Sequence, residues 1–149
     1  VRVVLNPAPA QQLPDDIYKK LYCITPNETE ASILTGVDVK SMDDVKKAAE
    51  ILLKKGTANV VITLGDKGSY ATDGKEELFI SPIPVEPVET TGAGDAFNGA
   101  FAAALAEGMD FFTAARFANV AGGLSVTRLG TAPAMPYRDE IEKYSSYFR

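Results

Sequence analysis

Histidine and tryptophan are absent from the 149 residues, and cysteine occurs only once. Without histidine the chain cannot build a Ser-His-Asp triad, a histidine-based zinc site or a histidine general base. The single Cys23 cannot form a disulfide within the chain, which favours a reducing, cytoplasmic location. Any acid–base chemistry must therefore come from carboxylates, lysine, tyrosine or Cys23.

Basic residues are fewer than acidic residues. Lysine and arginine together number 15 against 20 acidic residues, so the net charge is −5 and the pI is about 4.8. This balance argues against nucleic acid or an anionic membrane surface as a partner. No apolar run approaches the ~20 residues of a membrane span, and no signal-peptide pattern is present. Because the sequence starts at Val1 without a methionine, we expect it to be part of something longer.

Apolar runs that alternate with helical patterns predict an α/β fold in one domain, residues 1–149. We expect a mainly parallel sheet flanked by helices, with strands at 3–5, 22–25 and 59–64 and a small antiparallel hairpin at 69–80. The predicted helices are 15–21, 26–34, 42–55, 95–107, 111–127 and 136–148. Pro26 and Pro136 each suit a first helical turn, and Ser41 with Asp44 forms a capping box. The Gly122-Gly123 pair predicts close packing. Because ligands bind beyond the carboxyl ends of parallel strands, we expect the polar loops there to converge on one rim.

The stretch 89–101 reads ETTGAGDAFNGAF and predicts a loop that turns directly into a helix. Unpaired N–H groups and the positive end of the helix dipole would form an anion site there, and Gly92 and Gly94 would let a phosphate approach the backbone. Asp95 at its edge serves either as a helix cap or as a base beside a transferring group. A plain glycine turn before a capped helix is the alternative.

The same stretch resembles the second signature of the ribokinase family of sugar and nucleoside kinases, whose core reads Asp-Thr-Thr-Gly-Ala-Gly-Asp. Every position agrees except the first, where Glu89 replaces the aspartate. The resemblance extends to the segments 6–10, 26–31, 63–65 and 126–131. It covers nearly the whole chain but only the C-terminal half of a family member. The N-terminal half, with most sugar-binding residues and a small β lid, has no counterpart here.

The resemblance implies ATP-dependent phosphorylation of a sugar primary hydroxyl, with D-ribose to D-ribose 5-phosphate as the leading reaction. The backbone N–H groups of Gly92, Ala93 and Gly94 would form the anion hole for the transferring phosphoryl group. Asp95 matches the catalytic base of the family. Rival hypotheses are another family activity (deoxyribokinase, fructokinase or nucleoside kinase), a nucleotide-binding module without catalysis, and a plain α/β scaffold.

The resemblance also implies positions for ATP and Mg²⁺. Asn27 and Glu30 match an Asn-x-x-Glu motif that organises Mg²⁺ and phosphates, although a helix N-cap followed by a surface acid is the alternative. A nucleotide-binding turn is matched by Thr63, Leu64, Gly65, Asp66, Lys67 and Gly68. Lys67 either meets a phosphate there or is an ordinary solvated turn lysine. Asn119 falls where the family contacts adenine, or is an ordinary polar helix residue. Phe111 and Phe112 are expected in the core.

A potassium site is the last implication. In the family, K⁺ is held by the aspartate that opens the signature and by oxygens of the loop and a later Arg-x-Gly segment, so the corresponding positions here are Glu89, Thr91, Ser125, Arg128, Gly130 and Ala134. With Glu89 in place of aspartate we expect weaker activation by K⁺. The resemblance further implies a homodimer of the full-length protein and no kinase activity in this chain by itself.

Overall fold

The computed structural model describes all residues 1–149. The chain divides into two compact units, Val1–Phe79 and Ile80–Arg149. Its regular elements are β1 (Val4–Leu5), α1 (Asp15–Tyr18), β2 (Cys23–Ile24), α2 (Glu28–Thr35), α3 (Met42–Lys55), β3 (Asn59–Thr63), β4 (Ser69–Thr72), β5 (Glu77–Ile80), α4 (Ala93–Ala106), α5 (Phe111–Ser125) and α6 (Arg138–Glu142). None of the helices combines the length and apolar content that crossing a bilayer requires.

A five-stranded sheet runs in the order β1-β2-β3-β4-β5. β1 pairs with β2 and β2 with β3 in parallel, whereas β4 runs antiparallel to β3. β4 and β5 bracket a turn at Asp73, whose N–H donates to the carbonyl of Glu76 at 3.3 Å. The predicted α/β class with a mainly parallel sheet and a small hairpin is confirmed.

The core of the first unit forms where α3 covers the sheet. β3 is rich in β-branched residues, and Val60, Val61 and Ile62 are fully buried, as expected of a strand that is covered on both faces. Ser41 and Asp44 form the predicted capping box that starts α3. Cys23 is buried and free.

The second unit is built on α4 against α5. Phe101 is fully buried, and its ring lies 6.1 Å from the rings of Phe97 and Phe111, so Phe111 belongs to the core as predicted. A Cβ on Gly123 would lie 2.6 Å from Cγ1 of Ile83, which confirms close packing at the glycine pair.

Several predicted boundaries are wrong. Pro26 lies before the N-cap of α2 rather than in its first turn, and its carbonyl accepts the N–H of Thr63. The first helix ends at Tyr18 instead of continuing to residue 21.

The other corrections concern the second unit. α4 begins at Ala93, so Asp95 is its third residue and not its cap. The helix predicted over 136–148 shortens to Arg138–Glu142 and is followed by a 3₁₀ turn, Ser145–Tyr147. The reason is tertiary, because Phe148 leaves the helical path and packs edge-on against Phe117 at 5.1 Å.

Candidate active site

The N-terminus of α4 carries no side-chain cap. Its N-cap is Gly92, which adopts a left-handed conformation with φ of 85°, a backbone geometry that favours glycine. By contrast, side chains of Asn27, Ser41 and Asp110 accept N–H bonds at the starts of α2, α3 and α5. The first-turn N–H groups of α4 therefore lack the side-chain acceptor that α2, α3 and α5 have, which suits them to an external anion.

Gly94 and Asp95 are exposed in the first turn of α4. A Cβ on Gly94 would meet nothing within 4 Å, so its backbone is open to a close approach. The carbonyl of Gly94 accepts the side-chain amide of Asn98 at 2.9 Å. Ala93, the remaining member of the predicted anion hole, donates its N–H to the carbonyl of Thr90 at 3.3 Å. The structure therefore presents the Gly94 backbone and the Asp95 carboxylate together at one helix end.

The loop before α4 is ordered by Glu89. Its Oε1 accepts the N–H of Thr91 at 3.0 Å and the Thr91 hydroxyl at 2.7 Å. The hydroxyl of Thr91, followed by its N–H, lowers the pKa of the Glu89 carboxyl. The N–H groups of Val88 and Glu89 both donate to the carbonyl of Val126, at 2.6 and 3.1 Å. Glu89 thus lies beside the C-terminal end of α5.

The structure brings several positions of the predicted potassium site into one part of the second unit. Ser125 ends α5 immediately before Val126, and its hydroxyl donates to the carbonyl of Gly122. Gly130 has a positive φ of 92°, and Ala134 is buried. Main-chain carbonyls and a carboxylate are hard oxygen donors of the kind that a monovalent cation takes, and the potassium site itself stays a prediction. Oε1 of Glu89 is hydrogen-bonded to Thr91, which leaves Oε2 as the oxygen that a cation could use.

In the first unit, Asn27 and Thr63 meet where two neighbouring strands end. They form an isolated parallel bridge, and the N–H of Thr63 donates to the carbonyl of Pro26 at 3.0 Å. This confirms that the loops after β2 and β3 share one rim.

Asn27 also forms a capping box with Glu30. Glu30 Oε2 and the remaining lone pairs of Asn27 are the donors that a hydrated Mg²⁺ could use. No group of three or more acidic, cysteine or histidine side chains is placed to hold a metal ion.

The predicted nucleotide turn is a single 3₁₀ turn, Gly65–Lys67, that follows β3. The carbonyl of Gly68 accepts the N–H of Leu64 at 2.9 Å, which closes the turn. Gly65, Asp66 and Lys67 are exposed, and a Cβ on Gly65 would meet nothing within 4 Å. The turn therefore offers an open backbone and one lysine at the rim that carries Asn27.

Asn119 lies inside α5 and is only 9% exposed. Its side-chain Nδ2 donates to the carbonyl of Ser81 at 3.0 Å. At least one of its amide donors is therefore used within the second unit, and the adenine contact stays a prediction. Convergence of the Gly92 loop with the Asn27 rim also stays a prediction.

Sequence reasoning missed two side chains that lie beside the loop. A Cβ on Gly92 would lie 3.4 Å from Cγ2 of Thr131 and 3.5 Å from Cε of Met135. It also missed the ion pair between Arg128 and Glu140, since Arg128 was considered only for its main-chain oxygen. No local pattern marks these contacts, because the partners are distant in sequence.

Comparison with known proteins places these features in a family. The model of the pfkB family carbohydrate kinases matches residues 1–138. The chain is 46% identical over 144 residues to the ribokinase of Haemophilus influenzae, covering 97% of this chain and 47% of that protein. The structure of Arabidopsis thaliana ribokinase complexed with ribose and ATP is 36% identical, with a TM-score of 0.90 over 96% of this chain and 47% of that one.

A further similar structure is phosphofructokinase-2 from Escherichia coli in complex with potassium, at 27% identity and a TM-score of 0.83, covering 99% of this chain and 47% of that one. The chain spans about half the length of the curated relatives it matches. With a family match over most of its length, the chain belongs to the pfkB family of carbohydrate kinases.

Proposed function

We propose that the polypeptide carrying this chain transfers the γ-phosphoryl group of ATP to a primary hydroxyl of a sugar. D-ribose is the leading acceptor. The observation that carries the proposal is the uncapped start of α4, where the Gly94 backbone and Asp95 are exposed together. The similarity to ribokinases supports the choice of sugar.

In this proposal the backbone N–H groups of Gly92, Ala93 and Gly94 bind the oxygens of the phosphoryl group as it moves, and Ala93 exchanges its 3.3 Å bond to the carbonyl of Thr90 for one to the phosphoryl group. Donors held near the developing charge by the fold lower the barrier with little reorganisation. Asp95 aligns the acceptor hydroxyl and takes its proton late, which suits the loose transition state of phosphoryl transfer. Glu89 and Thr91 keep the loop folded before the reacting group arrives.

The first unit supplies the nucleotide side of the proposal. The exposed turn 65–67 approaches the ATP phosphates, with Lys67 as a cation that can meet them. Asn27 and Glu30 hold hydrated Mg²⁺, which neutralises phosphate charge when bound. K⁺ is held by the Glu89 carboxylate and by oxygens of five other residues, Thr91, Ser125, Arg128, Gly130 and Ala134. The similarity to a relative solved in complex with potassium supports this potassium site.

The test is a panel of sugars and nucleosides with ATP, using the complete polypeptide in which this chain occurs. We expect turnover to be highest with D-ribose; a preference for deoxyribose, fructose or a nucleoside would move the assignment within the family. Binding of ATP without turnover on any acceptor would favour a non-catalytic nucleotide-binding module.

Location and assembly complete the proposal. We place the protein in the cytoplasm, where ATP is abundant and where the free Cys23 thiol stays reduced. The complete polypeptide forms a homodimer in this proposal, which sedimentation equilibrium would test directly.

A further inference from the structure

The segment 128–140 is closed by an ion pair between its two ends. Nη2 of Arg128 donates to Oε2 of Glu140, and Nη1 donates to Oε1 at 3.3 Å. Oε1 of Glu140 also accepts the N–H of Tyr137 at 3.0 Å. The side chains of Arg128 and Glu140 are only 33% and 29% exposed, so water screens the pair less than it screens an open surface bridge. Two near-parallel bonds from one guanidinium to one carboxylate fix orientation as well as distance.

Between these ends the chain folds back on itself. The N–H of Ala134 donates to the carbonyl of Thr131 at 3.1 Å, and the N–H of Met135 donates to the carbonyl of Ala132 at 3.2 Å. Ala134, which belongs to this turn, is buried. Closing the ends of the segment therefore restricts where Thr131 and Met135 can lie.

Those two residues lie beside the N-cap of α4 and line the space next to Gly92. Cγ2 of Thr131 and Cε of Met135 lie 3.4 and 3.5 Å from the place where a Cβ on Gly92 would stand. The carbonyl of Gly92 accepts the N–H of Ala96 at 3.0 Å, so the position of Gly92 sets the first turn of the helix. At its N-terminal end the same loop is held by the carbonyl of Val126, which accepts the N–H groups of Val88 and Glu89.

We propose that Arg128 and Glu140 are positioning residues for the Gly92 loop, acting through Thr131 and Met135. Their ion pair clamps the segment 128–140 over Gly92 and keeps the first turn of α4 formed. The consequence for catalysis rests on the proposed function, since it assumes that this turn binds the transferring phosphoryl group. The mechanical link itself does not depend on that function.

Hydrogen exchange in the complete polypeptide tests the link. Arg128→Met removes the charge and both bonds while keeping much of the side-chain volume. The matched control is Arg149→Met, which removes an arginine that likewise makes a pair of bonds to one carboxylate, that of Glu142. We expect the amides of Ala93 and Ala96 to exchange several-fold faster in Arg128→Met than in Arg149→Met, because local opening becomes easier. The amide of Val61 in β3 should be unchanged, which separates local loosening from global unfolding.

Equal exchange at Ala93 and Ala96 in the two variants would overturn the proposal. If Arg128→Met loses protection throughout the chain, Arg128→Lys replaces it in the same comparison, because it keeps the charge but not the paired geometry. Glu140→Gln removes the negative charge of the pair. The amides of Ala93 and Ala96 should exchange in Arg128→Lys at a rate between those of the wild type and Glu140→Gln. Exchange of these amides at the wild-type rate in both variants would also overturn the proposal.

Kinetics give a second readout. We expect Arg128→Met to lower kcat several-fold with a smaller change in the KM for ATP, and Arg128→Lys to recover part of the loss. A rise in KM alone would contradict a role at the phosphoryl site. If the complete polypeptide phosphorylates no sugar, the proposed function fails, and the exchange comparison still decides whether Arg128 positions the loop.

Discussion

Asn27 and Glu30 each bond the backbone of the other: the N–H of Glu30 lies 2.8 Å from Asn27 Oδ1, and the N–H of Asn27 lies 2.9 Å from Glu30 Oε1. This reciprocal capping starts α2 at the rim that Thr63 shares. A structural role for both residues is thus established by geometry. A role in holding Mg²⁺ would be additional, and it would use the oxygens that the cap leaves over.

These two roles can be separated by substitution at Glu30. Glu30→Gln keeps the capping geometry, so we expect little loss of stability but a several-fold rise in the Mg²⁺ concentration needed for half-maximal rate. Asn27→Ala removes the cap, so we expect it to lower the free energy of unfolding by about 1 kcal/mol. Urea unfolding and Mg²⁺ titration of the complete polypeptide measure the two effects. If Glu30→Gln needs no more Mg²⁺ than the wild type, Asn27 and Glu30 serve only to cap α2.

Asp95→Asn tests the proposed base. The amide keeps the shape but cannot take the hydroxyl proton, so we expect kcat to fall roughly 10²- to 10⁴-fold. Nucleotide affinity should change little, as measured by calorimetry with ADP. Turnover within a few-fold of the wild type would rule out Asp95 as the base.

The replacement of aspartate by Glu89 predicts the response to monovalent cations. We expect the complete polypeptide to be activated by K⁺ over Na⁺, but only weakly, because Oε1 of Glu89 is committed to Thr91. Glu89→Asp restores the family pattern and should strengthen the activation. Rates are compared in KCl, NaCl and tetramethylammonium chloride at fixed ionic strength. Equal rates in all three salts for both proteins would show that no such site operates.

Acid should weaken the start of α5. The N–H of Thr113 first, and then its hydroxyl, lower the pKa of Asp110 below its usual value. A carboxyl whose folded pKa is lowered contributes stability above its ordinary pKa of about 3.9 and loses it as the pH falls through the lowered value. Asp110→Asn still caps the helix and does not titrate, so its Tm should fall less between pH 5 and pH 3. Parallel Tm curves for both proteins would contradict this role.

The isolated 149 residues should have negligible sugar kinase activity. The reason is that they correspond to about half of the curated relatives, so the proposed sugar contacts lie outside them. The comparison is between this chain and the complete polypeptide, assayed at equal concentration with ATP and D-ribose. Robust phosphorylation by the chain alone would show that the acceptor pocket lies within it.

The sequence by itself determined the features that depend on neighbours along the chain. The β-branched run of β3, the turn between β4 and β5 and the capping box at Ser41 follow from side-chain chemistry within a few residues. The glycine loop leading into a helix was likewise predictable, because Gly92 and Gly94 combine backbone freedom with a following run of helix formers.

Only the tertiary structure decided how that loop is held. The position of Met135 beside Gly92 and the bonds from Val88 and Glu89 to Val126 bring together residues distant in sequence, so no local periodicity encodes them. The same holds for Phe148, which leaves the predicted helix to pack on Phe117. Local preferences differ by only a fraction of a kcal/mol per residue, so burial of one large aromatic ring outweighs them and sets the final path of the chain.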